Sequence, residues 1–112
     1  LASKGAQAMT TDQRRQEILA EMAGLGVVVP GSLVQRSTRC QRSGCHCHGD
    51  PPRLHGPYTT WLHQEGGHQV VRTLSSNQAE RLRPLIAADR RFHELMKELE
   101  LLGLSEAENL LG

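Results

Sequence analysis

The chain has 112 residues, a formal net charge of +1 and three aromatic side chains, Tyr58, Trp61 and Phe92. That length suits one domain with a small core, which a metal or an oligomeric interface is expected to reinforce. No apolar run approaches the roughly 20 residues of a membrane span and no secretory leader is visible, so the expectation is a cytoplasmic protein without a membrane partner.

The opening LASKGAQA, residues 1–8, reads as an appended leader with Met9 as the natural start. Thr10 and Gln13 then form a capping-box pair, and Ile18, Met22 and Leu25 fall on one stripe. This predicts a helix from about Thr11 to Ala23, ended by Gly24 and Gly26. VVVPG, residues 27–31, is expected to be a buried connector, and SLVQRST, residues 32–38, a short strand. After an aperiodic stretch rich in Cys, His and Pro, two β-prone runs flank Gly66-Gly67. That dipeptide suits a type I′ turn, because both glycines can take positive φ. The register pairs Leu62 with Val71 on one face and Trp61 with Arg72 on the other. A second capping box, Ser75 with Gln78, opens a helix whose stripe includes Leu82, Leu85, Ile86, Phe92, Met96 and Leu99. Pro84 is expected to kink or split this helix and Gly103 to end it. The fold class is therefore α+β: an N-terminal helix, an antiparallel sheet of about three strands and a long C-terminal helix.

The aperiodic stretch holds all three cysteines, as Cys40-x4-Cys45-x-Cys47. An odd number cannot all pair within the chain, and clustered cytosolic cysteines more often bind metal. Zinc takes four tetrahedral ligands, and Gly44 allows a tight bend between the first two thiolates. His46 and His48 each adjoin a cysteine, which makes joint coordination awkward for the backbone. His55 follows Asp50-Pro51-Pro52, which can turn the chain back. It is the first choice for fourth ligand and His48 the second. Three thiolates and one imidazole leave no open position, so the zinc would be structural, clamping residues 9–112 as a single small domain.

Other chemistries lack their motifs. The chain has no C-x-x-C-H haem run, no common iron–sulfur spacing, no deaminase signature and no phosphate-binding glycine loop. His63, His68 and His93 have no evident nucleophile or carboxylate partner and read as solvated surface histidines. The expectation is a non-enzymatic protein.

Taken together, PGSLVQRSTRCQRSGCHCHGDPPRLHGPYTTW and RTLSSNQAERLRPLI resemble a family of short, uncharacterised bacterial proteins, largely actinobacterial. The shared features are Pro-Gly-Ser, Cys-x4-Cys-x-Cys, His-Gly-Pro-Tyr-x-x-Trp and a long helix, over about Arg14 to Leu102. The resemblance implies the same fold and ligand set, and an association with mobile elements, since members lie near transposase and integrase genes. In shape alone, a three-stranded sheet backed by a helix is similar to the arm-type DNA-binding domain of tyrosine recombinases, a likeness that does not establish function.

Charge is unevenly spread. Residues 36–91 hold nine arginines against Asp50, Glu65, Glu80 and Asp89, whereas from Phe92 onward Lys97 faces five glutamates. An anionic partner should therefore meet the middle of the chain. Arg36, Arg39 and Arg42 lead into the cysteine loop, Arg53 leaves it and Arg72 lies on the hairpin. With Trp61, which can stack on a base or pack in the core, they are the candidate nucleic-acid-binding residues. The alternative is a protein-interaction or self-association module. Leu95, Leu99 and Leu102 form one stripe of the C-terminal helix, and Leu101, Leu104, Leu110 and Leu111 add apolar surface beyond it.

Overall fold

The computed structural model describes residues Met9–Gly112, so the proposed leader lies outside the described residues. The elements are helix α1 (Thr11–Gly24), strand β1 (Ser32–Thr38), a 3-10 turn (His46–His48), strands β2 (His55–Glu65) and β3 (His68–Leu74), and helix α2 (Ser76–Leu111). This is the α+β arrangement expected from the sequence. The chain divides into a helical unit, formed by residues up to Val28 with Ala88–Gly112, and a sheet unit, Val29–Ala87.

In the helical unit, α1 opens on the expected capping box. Gln13 N–H donates to Thr10 Oγ1 at 3.1 Å, and Thr10 N–H donates to Gln13 Oε1 at 2.9 Å. Two orphan donors of the first turn are thereby satisfied. Leu25 N–H closes the helix on the Met22 carbonyl, and Gly26 turns away at φ 75°. Ile18 of α1 and Leu95 of α2 are completely buried and form the centre of this unit. Arg14 pairs with Glu98, and Arg91 pairs with Glu21 at 2.6 Å, which sets the two helical segments antiparallel. Hydrogen bonding from Arg91 holds the Glu21 carboxyl below its ordinary range. These pairs are solvated and contribute little beyond fixing register.

Gly103 does not end α2, which continues to Leu111. A helical glycine costs only about 1 kcal/mol relative to alanine, and the Leu, Glu and Ala residues that follow are strong helix formers. Pro84 does not split the helix either. The proline removes one backbone bond, while Ala79 and Ile86 on either side of it remain buried and hold the segment in place.

In the sheet unit the strand order is β1-β2-β3, all antiparallel. Leu62 pairs with Val71 and Trp61 with Arg72, as the hairpin pattern predicts. Gly66 and Gly67 have φ of 54° and 83°, matching the type I′ requirement. The VVVPG connector is not buried. Val27 is 69% exposed, and Val28 and Val29 are half-buried. Consecutive side chains of an irregular segment diverge, so only part of the run can face the body. Val29 N–H donates to the Leu85 carbonyl at 3.1 Å, which ties the start of the sheet unit to α2.

Alternation gives the sheet two distinct faces. Trp61, Arg72 and Leu74 border a hollow shared with Gln78, Leu82 and Leu85 of α2, so their face is the one turned to the helix. Val34, Arg36, Tyr58, Thr60, Val71 and Thr73 occupy the opposite, open face by register.

Candidate metal centre

The two strands that meet across the cysteine loop position its ligands. Thr38 pairs with His55, so the end of β1 and the start of β2 lie side by side, and Cys40 follows two residues later. Between Arg36–Tyr58 and Thr38–His55 the register slips, because Gly56 and Pro57 together oppose Ser37. Such a bulge re-aims neighbouring side chains. Gly56 sits at φ 110°, and a Cβ there would lie 2.9 Å from the Arg36 carbonyl oxygen. A glycine is needed for the bulge that precedes Tyr58 and follows His55.

Within the loop, the Cys45 N–H donates to the Arg42 carbonyl at 3.1 Å and the His48 N–H to the Cys45 carbonyl at 3.0 Å. These bonds wind His46–His48 into one 3-10 turn and carry Cys47 into a fully buried position. Arg53 N–H donates to the His46 carbonyl at 3.2 Å, bringing the chain back past the turn.

The ligand atoms of Cys40, Cys45, Cys47 and His55 all lie within 4.8 Å of one another and could hold a metal ion. Cys40 Sγ and Cys47 Sγ are 3.6 Å apart, and Cys45 Sγ is 3.2 Å from His55 Nε2. For tetrahedral zinc, bond lengths of about 2.3 Å to sulfur and about 2.0 Å to nitrogen place sulfurs about 3.8 Å apart and sulfur about 3.5 Å from nitrogen. The two close pairs match these spacings to a few tenths of an ångström, and the widest separation, up to 4.8 Å, would close by about 1 Å as the four donors gather on one ion.

The thiols differ in character. The Cys45 thiol is pulled down to about 6, chiefly by a backbone hydrogen bond from Cys47, with burial opposing the effect. Burial pushes the Cys47 thiol up. Cys40 N–H donates to Cys47 Sγ at 3.3 Å, an oriented dipole that favours a thiolate there. Metal binding requires all three as thiolates and hence releases protons.

His48, the second choice for fourth ligand, donates from Nε2 to the Cys40 carbonyl at 2.6 Å. It braces the loop at that position, outside the four-residue cluster. His46 lies beside the cluster, with Nδ1 3.7 Å from Cys45 Sγ and its ring 4.9 Å from that of His55.

Of the candidate nucleic-acid-binding residues, Arg36, Arg39, Arg42, Arg53 and Arg72 are all exposed. Arg36 is on the open sheet face and Arg72 on the face turned to α2, whereas Arg39, Arg42 and Arg53 belong to the metal loop. Trp61 is half-buried. Its Nε1–H donates to the Pro30 carbonyl at 2.9 Å, and its ring stacks on His63 with centroids 3.7 Å apart. His63 is consequently not a surface histidine. It is buried, and its Nε2 lies 2.5 Å from Glu65 Oε2. Lying two residues from Trp61 on the same strand, it shares the covered face, a position the alternation of the strand already implied.

Residues 10–84 match the family model described as Domain of unknown function (DUF6788). The match covers more than half of the chain, including α1, the sheet and the entire metal cluster. The chain belongs to this family. No curated protein and no solved structure matches the chain. DUF6788 membership brings no assigned activity, so function rests on the chemistry of the site. The segment of α2 beyond Pro84, with Glu94, Glu98, Glu100, Glu106 and Glu108, lies past the matched region.

Proposed function

We propose that this DUF6788 protein is a small, non-enzymatic zinc protein that binds nucleic acid, with the zinc serving to hold the sheet rather than to react. Three sulfur donors and one imidazole fill a tetrahedral sphere, leaving no position for a reacting water. The observation that carries the nucleic-acid reading is the division of charge. The sheet unit holds seven arginines against Asp50, Glu65 and Glu80, a balance of +4. The helical unit carries −3, since the whole chain is +1. Arg39, Arg42 and Arg53 sit on the loop that the metal would order, so clamping the loop also fixes three positive charges in place. The resemblance to proteins encoded near transposases and integrases agrees with a cytoplasmic accessory or regulatory role in mobile elements.

A second reading has its own observation. Leu101, Leu104, Leu110 and Leu111 of α2 are 57–87% exposed, surface that a second copy or a partner helix would cover.

Salt titration separates the two. Binding of zinc-loaded protein to duplex DNA is expected to weaken steeply with salt, with a log–log slope of roughly −0.9 per phosphate contact. Arg39→Ala with Arg42→Ala should flatten that slope by about 2 and leave zinc content unchanged. Arg90→Ala with Arg91→Ala is the control, because Arg91 is already engaged by Glu21 and Glu94. Equal losses from both pairs would mean diffuse attraction without a defined surface. No binding at low salt, with dimers in light scattering, would favour the self-association reading.

A further inference from the structure

We propose that the open face of the three-stranded sheet is the surface that enters the major groove of duplex DNA, with Arg36 and Tyr58 at its centre. The inference rests on the nucleic-acid reading above and assigns the face, the groove and the class of ligand. Arg36 pairs with Tyr58 across β1 and β2, and Thr60 pairs with Thr73 across β2 and β3. With Thr38 and Val71 they line a shallow depression of about 290 Å³, floored by the buried Thr60. Tyr58 and Val71 are 43% and 54% exposed, so the depression opens to solvent.

Charge on the two faces is complementary to this assignment. No carboxylate occupies the open face of any strand, while Glu65 shares the opposite face with Trp61 and His63. Arg36 therefore presents its charge without a local acidic partner. The metal loop leaves the sheet beside the Arg36–Tyr58 pair, through Thr38 and His55. Its exposed Arg39, Arg42 and Arg53 are thus carried at the same end of the strands, where phosphates flanking a groove would be met.

Dimensions and chemistry select the duplex. A major groove about 12 Å wide admits a two-stranded ribbon, so β1 and β2, about 4.8 Å apart and carrying the paired Arg36 and Tyr58, fit it with β3 at its edge. A-form RNA has a major groove too deep and narrow for side chains to read. Single strands call for several stacking rings, and Tyr58 is the one aromatic residue on this face. The side chains present suit base edges. A guanidinium can donate twice to guanine, threonine hydroxyls can bond any base edge, and the Val71 methyls can meet a thymine methyl.

The test uses full-length zinc-loaded protein and a randomised pool of duplexes of about 20 base pairs, the length of roughly two helical turns. Duplexes enriched by the protein then serve as probes in anisotropy titrations. Arg36→Ala is expected to weaken binding roughly ten-fold or more, the scale of one good base or phosphate contact. Val71→Glu, which places a carboxylate in the open face, should weaken it further. On this assignment Arg72, a candidate by sequence, lies on the opposite face with Trp61 and outside the binding surface, so Arg72→Ala removes the same charge there and should change affinity less than about three-fold. Methylation of guanine N7 in the enriched duplexes should block binding, because that atom lies in the major groove. If duplexes are enriched but Arg72→Ala costs as much as Arg36→Ala, the face is wrong while the nucleic-acid reading stands. If N7 methylation has no effect, or only single strands or RNA are retained, the groove is wrong. If no nucleic acid binds, both this inference and the reading beneath it fail. Zinc content and circular dichroism of each variant show whether a loss comes from the surface or from the fold.

Discussion

Cys47→Ser is expected to abolish stoichiometric zinc and lower the melting temperature by roughly 15–30 °C. Zinc at a thousand times its dissociation constant contributes about 4 kcal/mol to the folded state, and for a domain of this size each kcal/mol moves the midpoint by about 4–8 °C. The loop between Thr38 and His55 spans sixteen residues without a strand and with only one short turn, beyond the length at which a connection usually orders itself. Cys47 is fully buried at its centre, so its loss removes both a donor and the packing of the turn. His55→Ala should lose zinc to a similar degree. His48→Ala should keep it and cost only about 1 kcal/mol, the value of its hydrogen bond to the Cys40 carbonyl. Metal analysis and thermal melts of the three variants check the ranking. Loss of zinc from His48→Ala but not from His55→Ala would make His48 the fourth ligand.

Leu95→Ala should destabilise the helical unit by about 3–5 kcal/mol, since Leu95 is completely buried and, among the described residues of that unit, only Ile18 lies at the same depth. Truncation leaves a cavity that a two-helix layer has few large side chains to refill. Leu104→Ala, at a position 64% exposed, should stay within about 0.5 kcal/mol of the parent protein. Urea titration reads the difference as a fall in midpoint at constant slope. Because the cysteines and His55 all belong to the sheet unit, folded Leu95→Ala protein should retain its zinc.

Both capping boxes and the glycine-glycine hairpin were legible in the sequence because each rests on neighbours three or fewer residues apart. The Cys/His cluster was legible in part. Its spacing pointed to three thiolates, but only the pairing of Thr38 with His55 showed how the fourth donor is brought back to them. Gly103 and Pro84 are carried inside α2 for a shared reason. Local penalties of roughly 1–3 kcal/mol are outweighed when the residues around them are good helix formers or buried. Histidine is polar enough to suggest a surface site, but the position of His63 in the strand sends it to the covered face. Alternation alone puts it beside Trp61. The same alternation puts Tyr58 on the face of Leu62 and Val71, but only the placement of α2 shows which of the two faces is open.

X-ray absorption at the zinc edge of protein purified without a metal-affinity tag tests the metal centre most directly. The expected spectrum has three sulfurs at about 2.3 Å and one nitrogen at about 2.0 Å, at one zinc per chain. A protein that is fully folded without metal, or a bound zinc with fewer than three sulfur neighbours, would contradict a closed Cys40, Cys45, Cys47 and His55 clamp.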